Sequence, residues 1–298
     1  MTPSTDSSAL SDVSLPEKDA EKANRLSSER IAEEGSEKAV AGAIHSKLLS
    51  IRDKKKKSLC CYLMGGMSSD WQDIARAIEN GGADIIEIGL PFSDPMIDGP
   101  VIQHASKVSL DSGNSPMSVI DSISNLDMSI PVVVMTYYNI IYRAGLYRMA
   151  GRMAAAGVSG SIIADLPVEE AGSWVATAGD AGVENIMLVA PTTSLDRTKV
   201  ICDTSRGFVY CVGTMGVTGE RDELPTSAKE VAAKVKSVTD KPALVGIGVS
   251  TPSQATSVCA IADGVILGSA IVRRVLEGEN ARGIENFVRL LRNAIDSL

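Results

Sequence analysis

The 298-residue sequence predicts an α/β fold, eight parallel strands alternating with helices and closed as a (β/α)8 barrel of the TIM type. Three observations carry that expectation. Eight short apolar runs recur from Leu59 to Gly268, most of them continuously apolar, as strands buried on both faces are. Stretches of helical character separate the runs, several closed by glycine, as at Asn80-Gly81-Gly82, Ala156-Gly157 and Ala181-Gly182. Eight such units in about 240 residues fit a closed barrel. An open doubly wound sheet would favour a G-x-G-x-x-G turn after the first strand, which Gly65-Gly66-Met67 does not supply.

Taken in order, residues 1–32 are rich in Ser, Asp, Glu and Lys and lack an apolar period. They are expected to be a disordered or loosely ordered tail. A single barrel domain is expected over residues 33–298, beginning with an extra helix. There Val40, Ile44, Leu48 and Ile51 form one apolar stripe that would cover the bottom of the barrel. The lysines Lys54–Lys57 suit the negative end of that helix dipole. Strands are then expected at Leu59–Met64, Asp84–Gly89, Pro131–Tyr137, Gly160–Asp165, Asn185–Ala190, Phe208–Gly213, Ala243–Gly248 and Gly264–Gly268. Helices are expected at Asp70–Asn80, Tyr147–Ala156, Glu169–Ala178, Ala228–Val238, Ala270–Leu276 and Ile284–Ile295.

Composition excludes several classes of function. With 37 acidic against 29 basic residues and 4% aromatics, no broad nucleic-acid or anionic-membrane surface is expected. Residues 58–298 alone carry 27 acidic and 18 basic side chains, so any bound phosphate would be held by backbone N–H groups. The five cysteines show no C-x-x-C spacing, which points to a reducing cytoplasm. No apolar run approaches 18 residues, and residues 1–30 lack the charged-then-apolar order of a secretory signal.

In a barrel, function belongs to the loops after the strands. The second strand places Ile85, Glu87 and Gly89 on one face. A carboxylate inside an apolar run is either a buried ion pair or a group held near neutrality for proton transfer. Asp94 and Asp98 on the following loop favour a site, although Asp94 before Pro95 also suits a turn. Gly246-Ile247-Gly248 and Gly268-Ser269 close the last two strands, where barrels bind phosphate; small-residue packing is the alternative. Gly216-Val217-Thr218-Gly219 reads as a glycine-hinged lid or as a plain surface loop. No strand contains lysine, and the two histidines, His45 and His104, lie far apart, so neither Schiff-base chemistry nor a metal site is expected.

These residues resemble the alpha subunit of tryptophan synthase. The resemblance rests on Ile86 to Gly99, position by position. It extends through Met135-Thr136-Tyr137-Tyr138-Asn139, Ala164-Asp165-Leu166-Pro167, the Gly216–Gly219 turn and the glycines at 246, 248 and 268. It implies retro-aldol cleavage of indole-3-glycerol phosphate to indole and glyceraldehyde 3-phosphate. By resemblance Glu87 is the acid–base residue and Asp98 holds the indole N–H. Thr218 would bond Asp98 when the lid closes, and Tyr137 would border the indole. The phosphate would lie on Gly248, Gly268 and Ser269, with Gly219 and Gly246 lining the approach. The resemblance also implies a beta-subunit partner that carries pyridoxal phosphate, an α2β2 tetramer, and an interface near Asp94 and Asn139; this chain would carry no cofactor. The chain departs from the family pattern at Gly65-Gly66-Met67-Ser68, where many members read Ala-Gly-Asp-Pro, and at Asn139-Ile140, where many read Asn-Pro. Two other readings stand beside this one: a free-standing lyase, and a non-catalytic partner that binds a phosphorylated ligand.

Overall fold

A computed structural model describes residues 42–213, 226–246 and 248–298. The expected tail, the domain start at residue 33 and the expected lid with Thr218 and Gly219 lie outside the described residues. Eight strands form one closed parallel barrel in sequence order: β1 (Ser58–Met64), β2 (Ile85–Gly89), β3 (Val132–Thr136), β4 (Val158–Ile163), β5 (Glu184–Val189), β6 (Val209–Val212), β7 (Ala243–Gly246) and β8 (Gly264–Leu267). The ring closes where Ser58 to Cys61 of β1 pair with Gly264 to Leu267 of β8.

The described helices run α1 (Ala43–Asp53), α2 (Trp71–Asn80), α3 (Pro100–Asp111), α4 (Pro116–Ile123), α5 (Tyr138–Ala144), α6 (Leu146–Ala155), α7 (Gly172–Asp180), α8 (Leu195–Thr204), α9 (Thr226–Lys236), α10 (Pro252–Cys259), α11 (Ser269–Leu276) and α12 (Ala281–Asp296). The eight strands fall where the apolar runs are, with ends moved by up to two residues. Two differences have local causes. The helix expected from Glu169 starts at Gly172, because residues 163–171 close successive tight turns (Leu166 N–H to Ile163 O, Glu170 N–H to Pro167 O). The strand expected to reach Tyr137 stops at Thr136, and α5 begins at Tyr138, whose N–H donates to the Asp165 carboxylate at 2.7 Å.

Burial divides into two shells. The larger fills the space between strands and helices; there the fully buried Trp174 donates its indole N–H to Ser161 Oγ at 3.2 Å. The smaller lies inside the barrel, where Cys60, Ile85, Val133, Ile162, Ile186, Leu244 and Ile266, each on a strand, and Phe208, just before β6, form a tier closed from below by Ile44 and Leu48 of α1. Glu184, at the start of β5, fastens α1 there. Its Oε2 accepts the Ile44 N–H at 2.7 Å and its Oε1 the His45 N–H at 3.1 Å, so the carboxylate serves the positive end of the helix. A second fastening joins the two ends of the barrel sequence. Arg292 of α12 bonds Asp84 Oδ2 at 3.0 Å and the Lys57 carbonyl at 2.9 Å, while Asp84 also accepts the Leu59 N–H.

Candidate active site

Two residues further along each strand, a second tier faces a cavity at the C-terminal end of the barrel. Tyr62, Glu87 and Tyr210 bring polar groups to it. Met135, Ala164 and Leu188 form apolar wall, and Gly246 and Gly268 offer backbone alone. Ile97, Asp98 and Ile102 come from the loop and helix after β2, and Gly248 and Ser269 from the turns after β7 and β8. The cavity thus gathers Glu87, Asp98, Gly246, Gly248, Gly268 and Ser269 of the residues expected from sequence. Tyr137 adjoins them through Asp98. Asp94 and Asn139 do not enter it; both are exposed on the loop after β2 and the first turn of α5.

Glu87 is 1% exposed, and its Oε2 has no hydrogen-bond partner among the described residues. The ion-pair reading of this residue therefore fails. Burial, and then the nearby Asp98 charge, push its carboxyl up to about 8, which keeps it protonated and able to give a proton near neutrality. Asp98 is also raised by burial, but Tyr137 donates its hydroxyl to Asp98 Oδ2 at 2.8 Å and opposes that shift. The donor makes Asp98 the easier of the two to ionise. Two carboxyl groups in one apolar cavity thus acquire different proton affinities, the condition for dividing acid–base labour.

The loop carrying Asp98 is held at several points. Ser106 Oγ accepts the Phe92 N–H and donates to the Phe92 carbonyl, both at 2.8 Å, and Gln103 Nε2 donates to the Asp98 carbonyl at 2.9 Å. The Phe92 and Tyr137 rings pack with centroids 5.0 Å apart. At the end of β8, Gly268 caps α11, and Ser269, 5% exposed, opens it. Gly248 has φ +36°, a left-handed conformation open to glycine. Bare backbone beside a helix N-terminus suits an anion.

Sequence reasoning overlooked Tyr62 and Tyr210. Both sit inside apolar runs and read as core; the available signal was their two-residue spacing from Cys60 and Phe208. Tyr62 Cα is the register partner of Glu87. Among the described residues no group of three or more His, Cys, Asp and Glu is arranged to hold a metal ion.

Fold and site together define a (β/α)8 barrel with a cavity at its C-terminal end that holds two buried carboxyl groups beside bare glycine backbone. The sequence profile of the tryptophan synthase alpha chain matches residues 48–296. The alpha chain of Methanosarcina barkeri is 42% identical over 256 residues, spanning 85% of this chain and 97% of its own. That of Microcystis aeruginosa is 42% identical over 255 residues, spanning 83% and 96%. Tryptophan synthase of Mycobacterium tuberculosis superposes with a TM-score of 0.79 at 35% identity, covering 86% of this chain and 99% of that one. The alpha subunit of Legionella pneumophila gives a TM-score of 0.78 at 30% identity, covering 87% and 100%. The chain belongs to the tryptophan synthase alpha chain family. It is a lyase of tryptophan biosynthesis that cleaves indole-3-glycerol phosphate, in a family whose partner is a beta subunit carrying pyridoxal phosphate.

Proposed function

We propose that Glu87 moves the protons of this cleavage and that Asp98 holds the indole ring. Breaking the bond between indole C3 and the side chain needs C3 protonated, and the ring nitrogen then carries positive charge. Glu87, neutral in the apolar cavity, gives its proton to C3; Asp98, with the Tyr137 donor behind it, accepts the ring N–H and stabilises that charge. The resulting Glu87 carboxylate takes the proton of the side-chain hydroxyl. The C3–carbon bond pair returns to the ring and neutralises the nitrogen, the O–H pair becomes the aldehyde C=O, and Glu87 ends as it began. The observation that carries this reading is the buried Glu87 carboxyl, whose Oε2 has no partner among the described residues, in one cavity with Asp98.

The phosphate lies on the backbone of Gly248, Gly268 and Ser269, with Gly246 lining the approach and Tyr137 at the edge of the indole. Thr218 and Gly219 contribute the lid, by resemblance. The beta subunit docks over Asp94 and Asn139, a face that carries the exposed Met96 and Tyr142, receives the indole, and completes an α2β2 tetramer. A cytoplasmic setting suits the buried free thiols of Cys60, Cys61, Cys202, Cys211 and Cys259. The test is indole release from indole-3-glycerol phosphate, measured with and without beta subunit. Release that rises strongly when beta subunit is added supports the paired reading. Full turnover by the chain alone identifies a free-standing lyase, and no release in either case overturns the proposed roles.

A further inference from the structure

The Tyr62 phenol is a polar group of the cavity that the reaction scheme above leaves without a task. It is 6% exposed, stands beside Glu87 in the β1–β2 register, and makes no hydrogen bond among the described residues. Its hydroxyl is seated on Gly89, where a Cβ would collide with it; its Cβ lies near Gly268. Gly89 is two residues beyond Glu87 on the same strand face, so the hydroxyl overhangs the Glu87 side of the cavity. Tyr210 differs. Its hydroxyl is seated on Gly246 of β7, three strands from β2 in the ring.

We propose that Tyr62 is a positioning residue for Glu87: its hydroxyl donates a hydrogen bond to the carboxylate that Glu87 becomes after giving up its proton. This rests on the acid–base role proposed for Glu87. In the resting cavity Glu87 is neutral and needs no donor. Once its proton is on the substrate, two carboxylates share an apolar space, and Tyr137 is already committed to Asp98. The groups that face Glu87 are Asp98, Tyr62, Tyr210 and Cys60. Of these Tyr62 is the oxygen donor on the neighbouring strand. Burial, Asp98 and Glu87 all push its phenol upward, so it stays protonated and remains a donor throughout the working pH range.

The test is Tyr62→Phe, which keeps the ring and removes the hydroxyl, assayed as the full chain with its beta subunit. A donor to the ionised form lowers a carboxyl's pKa, so its loss raises it. The alkaline limb of kcat against pH is expected to move up by about 0.5–1 unit, with kcat about tenfold lower and KM within about twofold. A limb that stays in place or moves down overturns the proposal, whatever happens to kcat. Binding of glycerol 3-phosphate at unchanged affinity shows that the fold and the anion corner survive the substitution. Failure of the underlying role of Glu87 is seen separately, as turnover retained in Glu87→Gln.

Discussion

Glu87 and Glu184 are both glutamates buried on strands of the same barrel, one at each end, and they are handled in opposite ways. Glu184 has two backbone N–H donors and the positive end of α1. Glu87 has apolar wall, a like charge nearby and an oxygen with no partner among the described residues. Both are raised by burial, but the donors offset part of the shift for Glu184 and nothing does so for Glu87. The bottom of the barrel spends its carboxylate on holding a helix; the top leaves one for the proton transfer proposed above. A buried polar group left unsatisfied costs stability, and for Glu87 that cost falls in the cavity where the chemistry is proposed.

Substitutions can break this contrast. Glu87→Gln is expected to reduce indole release by about a thousandfold or more, the range of a lost acid–base group, while leaving the folded state intact; indole release and thermal unfolding on one preparation check both halves. Glu184→Ala should do the reverse. It strands the Ile44 and His45 N–H groups, so urea unfolding should show a loss of about 2–3 kcal/mol, with kcat within about twofold of the parent.

The pH dependence sharpens the contrast further. Glu87 moves from 4.5 to about 8 on folding, so between those values the folded chain binds more protons than the unfolded one. Its contribution is therefore favourable below pH 4.5 and is lost as pH rises toward 8, at no more than about 1.4 kcal/mol per unit. Chemical unfolding of Glu87→Gln should lack this decline, and a parallel pH dependence in variant and parent would refute the account. The smallest effect is expected for Tyr137→Phe. Without its donor Asp98 ionises less readily, and kcat should fall about three- to tenfold with an unchanged unfolding midpoint.

The barrel was legible because strands buried on both faces leave continuous apolar runs, and a closed parallel ring has one order for them. Glu87 was legible as the charge that interrupts such a run, and Asp98 through the loop that follows. Tyr62 and Tyr210 were not, since an aromatic within an apolar strand looks the same whether its hydroxyl meets protein or a cavity. The role of Glu184 was hidden for a different reason: its partners lie 140 and 139 residues away in the chain, beyond any local pattern. Strand ends were set by turns, as at residues 163–171, that hydrophobic period does not register.

The Arg292 clasp bears on the order in which the protein is made. It ties the last helix to Asp84 and to the Lys57 carbonyl, 208 and 235 residues earlier, beside the seam where β8 meets β1. Glu87 and Asp98 are synthesised well before the closing strand β8 and Ser269. A nascent chain therefore carries the Glu87 carboxyl before it has a ring to enclose it, and the cavity is walled only once β8 pairs with β1.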